Sequence, residues 1–143
     1  VNPELVNKWL LGDNDAHIFC AALWDLCLVW DDLIDKDKPI SDTDINTAFI
    51  SALITIPRNP FYQKNMHELV PIMQTYIYDW LDANAMEAEA KSEIAYVIRS
   101  GMGNIVTTCA RLVGGDIWAR SISLEVRTEL YGNEDYQQYL GEE

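Results

Sequence analysis

Residues 29 to 38 read Val-Trp-Asp-Asp-Leu-Ile-Asp-Lys-Asp-Lys, which sets Asp31, Asp32 and Asp35 at the end of a long apolar run. Residues three and four apart on a helix share a face, so Asp32 with Asp35, or Asp31 with Asp35, can hold one ion between them. Oxygen-only ligands suit a hard divalent cation, Mg²⁺ or Mn²⁺. Mg²⁺ takes one or two protein carboxylates and completes its shell with water and substrate phosphate. Asp79 and Asp82 repeat the Asp-x-x-Asp spacing in a similar frame, Tyr-Ile-Tyr-Asp-Trp-Leu-Asp over residues 76 to 82. Both sets fall near an expected helix C-terminus, where the helix dipole disfavours exposed carboxylates by about 0.3–1 kcal/mol each. Lys36 and Lys38 can offset this at the first set, whereas the next basic residue after Asp82 is Lys91. A cation would supply the missing charge at both. The competing explanation is a solvated charge stripe on an ordinary amphipathic helix.

On a helical wheel, Asp25, Asp31, Asp32 and Asp35 fall within one arc of about 120°. The same arc holds Ala21, Trp24 and Leu28, so the stripe mixes carboxylate with apolar surface. An apolar run of this kind predicts a helix buried on nearly all sides, in which Asp25 needs a partner.

Asp-Asp-x-x-Asp at the end of an apolar helix resembles the aspartate-rich motif of class I terpenoid synthases and trans-prenyltransferases. The resemblance implies an all-α fold in which Asp31, Asp32 and Asp35 hold Mg²⁺ against a substrate diphosphate. Asp79 and Asp82 would stand where the prenyltransferases carry a second set. In the cyclases the second set is Asn, Ser/Thr and Glu at a spacing of four. Asn104 and Thr108 match its first two positions, and Leu112 stands in place of the Glu. Arg99 or Arg111 would supply the basic diphosphate contacts. This chain is much shorter than that family's usual length. The all-α nucleotide pyrophosphohydrolases, which hold Mg²⁺ with acid-x-x-acid pairs on two helices, are closer in size, but their usual E-x-x-E opening is absent.

The elements that must position these residues are helices. Asn2-Pro3 is an N-cap followed by Pro at the first helical position, and Gly12 ends that helix. A long helix is predicted over 14–36, stopped by Asp37-Lys38-Pro39. Ser41-x-x-Asp44 opens another, whose Ile45, Ala48, Phe49, Ala52, Leu53 and Ile56 form an apolar face that runs to Pro57. Asn59-Pro60 starts helical material to about residue 84, which Pro71 must kink or split. Residues 86–113 carry a helical pattern stopped by Gly114-Gly115, and a last helix spans about 117–130 before a polar, acidic tail. Within Ser-Gly-Met-Gly-Asn at 100–104, the glycines suit close helix packing. Alternatively, Asn104, Thr108 and Arg111, with Arg99 nearby, form a wall facing a metal-bound phosphate. No alternating strand pattern competes, so the expectation is an all-α, single-domain bundle of five to seven helices over 1–143.

Composition narrows the function classes. The 143 residues carry 23 acidic against 10 basic side chains, a formal −13, which argues against nucleic acid or an anionic membrane as a direct partner. No run reaches the roughly 18 uncharged apolar residues of a membrane span, and no signal peptide is expected. Cys20, Cys27 and Cys109 stand among apolar residues, an odd number read as reduced thiols of a cytoplasmic protein. No residue stands out as a nucleophile, acid or base. Two functions remain. The first is Mg²⁺- or Mn²⁺-dependent binding or cleavage of a phosphate- or diphosphate-containing small molecule. The second is a non-enzymatic acidic helical interaction protein of accessory, viral or mobile-element type, binding a basic partner or forming a homodimer through apolar helix faces.

Overall fold

The computed structural model describes residues 2–36, 38–132 and 136–141, and its regular elements are all helical. The all-α expectation is therefore met. Asp37, part of the expected helix stop, and tail residues 133–135 and 142–143 lie outside the described residues. Chain contacts group the helices into two compact units, one of residues 13–66 and one of residues 1–12 with 67–143.

The 13–66 unit begins with α2 (Asn14–Asp35), which follows α1 (Pro3–Trp9) of the other unit. The Asp13 carboxylate caps α2 by accepting from Ala16 N at 3.0 Å, and Lys36 ends it in the left-handed region at φ 57°. The helix thus stops one residue before the predicted Asp-Lys-Pro breaker begins. Next come α3 (Asp42–Ile50), a π turn at Ser51–Thr55 and α4 (Ile56–Arg58), opened by Ser41 Oγ accepting from Asp44 N at 3.1 Å. Pro57 has no N–H to give. Just before it, the ladder widens, and Ile56 N bonds Ser51 O across five residues. The wider turn re-aims the helix. Ser51 and Ile56 are buried, and Phe49 and Leu53, expected on the core face, are 65% and 70% exposed.

The core of this unit is small: Ala16, Phe19, Cys20 and Leu23 of α2 against Ile56 and Phe61. Phe19 meets Phe61 and Tyr62 with ring centroids 6.1 and 5.6 Å apart. Buried Asn59 ties the chain here, donating to Asp15 O and accepting from Tyr62 N, each at 2.9 Å. α2 is buried on one face only. Ala21, Asp25 and Leu28 are exposed, so Asp25 stays in water and needs no partner, contrary to the sequence expectation.

α5 (Pro60–Glu87) begins in the 13–66 unit, and from residue 67 on it builds the second unit with α6 (Glu93–Ile98), α7 (Met102–Gly132), α8 (Tyr136–Gly141) and α1. α5 is broken at Asn65 (φ −118°, ψ 16°), not at Pro71. There the Asn65 amide donates to Phe61 O at 2.9 Å, so a side chain satisfies a carbonyl that the distorted ladder releases. Pro71 rides inside the helix beyond that break. α7 is interrupted at Gly115, whose φ of 88° and ψ of 174° favour glycine, so the predicted Gly-Gly stop is a break between two helical segments. Ile105, Val106, Cys109, Ala119, Ile122 and Val126 of α7 are buried. α1 is fixed to α7 by Trp118 Nε1 donating to Trp9 O at 2.8 Å, and by Trp9 Nε1 and Lys8 Nζ donating to Glu125 Oε1 at 2.7 and 2.8 Å.

Candidate functional site

The aspartate end of α2 lies in the 13–66 unit. Asp31 and Asp32 are half-buried and Asp35 is exposed. Lys38 Nζ lies 3.5 Å from Asp32 Oδ2, so the charge of this carboxylate is offset by its own loop. Asp32 and Lys38, with Leu33, Lys36, Ile40 and Ile45, line an open depression beside the helix end. Carboxylate and ammonium groups thus share one shallow mouth. Among the described residues no group of three or more His, Cys, Asp or Glu side chains is placed to hold a metal ion. A cation here would rest on a pair of aspartates at helical spacing and take its other ligands from water or phosphate.

The other candidates belong to the second unit. Asp79 is half-buried and Asp82 exposed on α5. Arg99, just past α6, does not stand ready for an anion. Its Nη1 donates to Glu87 Oε1 at 2.6 Å and to Asn84 Oδ1 at 2.8 Å, and its guanidinium lies 5.8 Å from the centroid of the Trp80 ring. The Arg99 and Glu87 side chains are 19% and 18% exposed, which makes this a sheltered, charge-assisted contact. Arg111 pairs with Glu68 at 3.2 Å at a more exposed position. Asn104 is exposed, with Arg127 Nη2 at 3.5 Å from its Oδ1, and Thr108 Oγ1 donates to Asn104 O at 2.8 Å. The crevice beside them, lined by Ser100, Gly103, Thr107, Ser123 and Arg127, holds about 10 Å³, the room of one water and too little for a phosphate. Arg99, Asn104 and Arg111 thus each have a polar partner within their own unit.

The glycines of 100–104 serve close packing. A Cβ on Gly101 would meet Tyr76 Cδ1 at 3.2 Å, and one on Gly103 would meet Leu130 Cδ1 at 3.3 Å.

Sequence reasoning missed the group that surrounds Arg99. Trp80, Asn84 and Glu87 stand at i, i+4 and i+7 on α5, a spacing that shares one face and could have flagged them. Beside them Tyr139 of α8 is buried against Ala83 and Ala95, with Tyr96 and Tyr136 packed around it. Tyr96 and Tyr136 have ring centroids 5.3 and 6.1 Å from that of Tyr139. Lys91 Nζ donates to Tyr139 O and lies 4.9 Å from its ring centroid. The buried Tyr139 hydroxyl has no hydrogen-bond partner among the described residues. Burial, and then the nearby Glu87 carboxylate, push its ionisation up to about 12. Glu125 shifts the other way, below its ordinary 4.5, held charged first by Lys8 and then by the Trp9 indole.

Large apolar side chains stand outward on several helices. Besides Phe49 and Leu53, Ile50 and Ile54 are exposed beside them, Val70, Ile77 and Leu81 on α5, and Ile117 and Leu124 on α7, with Ile117 90% exposed. All three cysteines are thiols. Among the described residues no helix is long and apolar enough to cross a membrane. No protein-family model, no curated protein and no solved structure matches this chain.

Proposed function

We propose that this chain is a non-enzymatic helical interaction protein whose partner is held by apolar helix faces within an acidic surface. The observation that carries this reading is the set of large apolar side chains exposed on α3 and its π turn, Phe49, Ile50, Leu53 and Ile54. Scattered single apolar residues are ordinary on a protein surface, whereas a contiguous patch on one helix marks a binding face. The arginines offered for a substrate anion are engaged with Glu87 and Glu68, which fits a structural role for them better than a catalytic one. The three thiols fit a reducing compartment such as the cytoplasm.

The second reading is the Mg²⁺- or Mn²⁺-dependent phosphate or diphosphate chemistry. It is favoured by one feature, the depression in which Asp32 stands beside Lys36 and Lys38. Asp31, Asp32 and Asp35 would then hold the ion, and the lysines would meet the phosphate oxygens. Asp79 and Asp82 stand as a separate pair on the other unit.

Thermal unfolding with Mg²⁺ or Mn²⁺, with and without pyrophosphate, separates the two. A native-state site filled at about 100 times its dissociation constant adds roughly 2.7 kcal/mol, several degrees of Tm at this size. The interaction reading expects no shift. A shift that grows with pyrophosphate and vanishes in Asp32→Asn/Asp35→Asn would replace it with the metal reading.

A further inference from the structure

The helical run 42–58 points to its own occupant. Resting on the interaction reading, we propose that the Phe49, Ile50, Leu53 and Ile54 face is a two-fold interface, covered by the same face of a second copy running antiparallel.

Charge supplies the first reason. The chain carries −13, so two copies repel over most approaches. Residues 45–57, Ile-Asn-Thr-Ala-Phe-Ile-Ser-Ala-Leu-Ile-Thr-Ile-Pro, contain no ionisable side chain. Like charges therefore do not meet across this stretch. A basic partner would find nothing there to pair with.

Symmetry supplies the second. A two-fold contact is self-complementary, with residue i meeting j and j meeting i. Phe49 and Leu53 are equidistant from Ser51, so an antiparallel pair centred there sets each Phe49 against the other copy's Leu53. Asp42 and Asp44 stand exposed at the start of the run and Arg58 at its end. The same pairing brings the acidic end of one helix to the basic end of the other, twice. Asp42, Asn46 and Phe49 follow one another at i, i+4 and i+7 on α3, and Leu53 follows in the π turn.

Area supplies the third. Taking about 200 Å² for each whole side chain, the exposed fractions of Phe49, Ile50, Leu53 and Ile54 leave roughly 450 Å² of apolar surface per copy. Two copies bring roughly 900 Å² of apolar surface together, close to the roughly 1,000 Å² of total burial that separates specific interfaces from casual ones. A modest dimer is the result, formed at micromolar rather than nanomolar concentration.

Sedimentation equilibrium on the whole chain over a concentration series tests this. The wild type is expected to be a dimer in the micromolar range. Phe49→Asp/Leu53→Asp is expected to raise the dissociation constant at least about tenfold, with helix content unchanged because both residues are exposed. Phe49→Ser/Leu53→Ser repeats the test should the aspartates disturb the helix. Arg58→Glu is expected to weaken the dimer, and Asp44→Lys/Arg58→Glu to restore it, because the pairing that sets Phe49 against Leu53 sets Asp44 against Arg58. A dimer untouched by the Phe49 and Leu53 variants overturns the proposal, and failure of the charge rescue overturns its antiparallel geometry. A monomeric wild type at about 100 μM overturns the second copy as occupant but leaves the interaction reading standing with another protein on that face.

Discussion

Tyr139 shows how much a single buried atom decides. Its ring closes the satellite core of Ala83, Ala95, Tyr96 and Tyr136, and its hydroxyl, buried beside the Glu87 carboxylate, makes no hydrogen bond of ordinary geometry among the described residues. Such a group costs about 1–3 kcal/mol of desolvation. Tyr139→Phe, which keeps the ring, is therefore expected to stabilise the fold by on the order of 1 kcal/mol at neutral pH, measured as a higher urea midpoint. The pH dependence has a definite sign. The native ionisation lies at about 12, above the ordinary value of 10, so the native state holds its proton more tightly than the unfolded chain. That contribution is complete below pH 10 and is lost as the pH rises from 10 through 12. Wild type should lose stability across this window more steeply than Tyr139→Phe. Parallel curves would mean that the hydroxyl is solvated.

At the scale of the element, local chemistry sets where helices begin, and packing decides which face they bury. Asn2, Asp13, Ser41 and Ser92 each accept a hydrogen bond from a backbone N–H two or three residues on. Every one is a residue type that caps by nature. The break in α5 follows a different rule. Pro71 removes an N–H and crowds the carbonyl four residues back, but the helix distorts at Asn65, where the side-chain amide donates to Phe61 O in place of a backbone N–H. Pro71→Ala is expected to raise stability by about 1–2 kcal/mol, because the restored N–H bonds in a helix that does not bend at that position. The urea midpoint reads it directly. A lower midpoint would show that the proline rigidifies the unfolded chain more than it strains the helix. The π turn stands just before Pro57, and Phe49 and Leu53, expected on the core face, are exposed.

At the scale of the molecule, the two compact units differ in what holds them. Residues 13–66 share a core of few large side chains, Phe19, Leu23, Ile56 and Phe61 foremost. The other unit has Trp9, Leu69, Trp80, Ile105 and Val126. Small units bury a smaller fraction of their surface and are correspondingly marginal. Amide hydrogen exchange is therefore expected to protect residues 105–126 more strongly than 42–58, the latter opening by local rather than global unfolding. Equal protection in both segments would mean that the chain unfolds as one cooperative block. Should the second copy cover Phe49 and Leu53, protection of 42–58 should also rise with protein concentration.

Much of the secondary structure was legible in the sequence, because caps, prolines and glycines act within a few residues of themselves. Asn2-Pro3, Ser41-x-x-Asp44, Asn59-Pro60 and Gly115 did their work where they stood. The three-four spacing of Ile45 to Ile56 was legible as well, but not its destination. One apolar face can meet a core or stay exposed, and the sequence pattern is the same for both outcomes. The candidate site was the least legible part. Asp31, Asp32 and Asp35 have the spacing for an ion whether or not one binds, since spacing on a helix is local geometry. Whether Arg99 meets a substrate or Glu87 depends on which side chains the fold brings within about 3 Å. That is a long-range outcome of packing, and only the tertiary structure decided it.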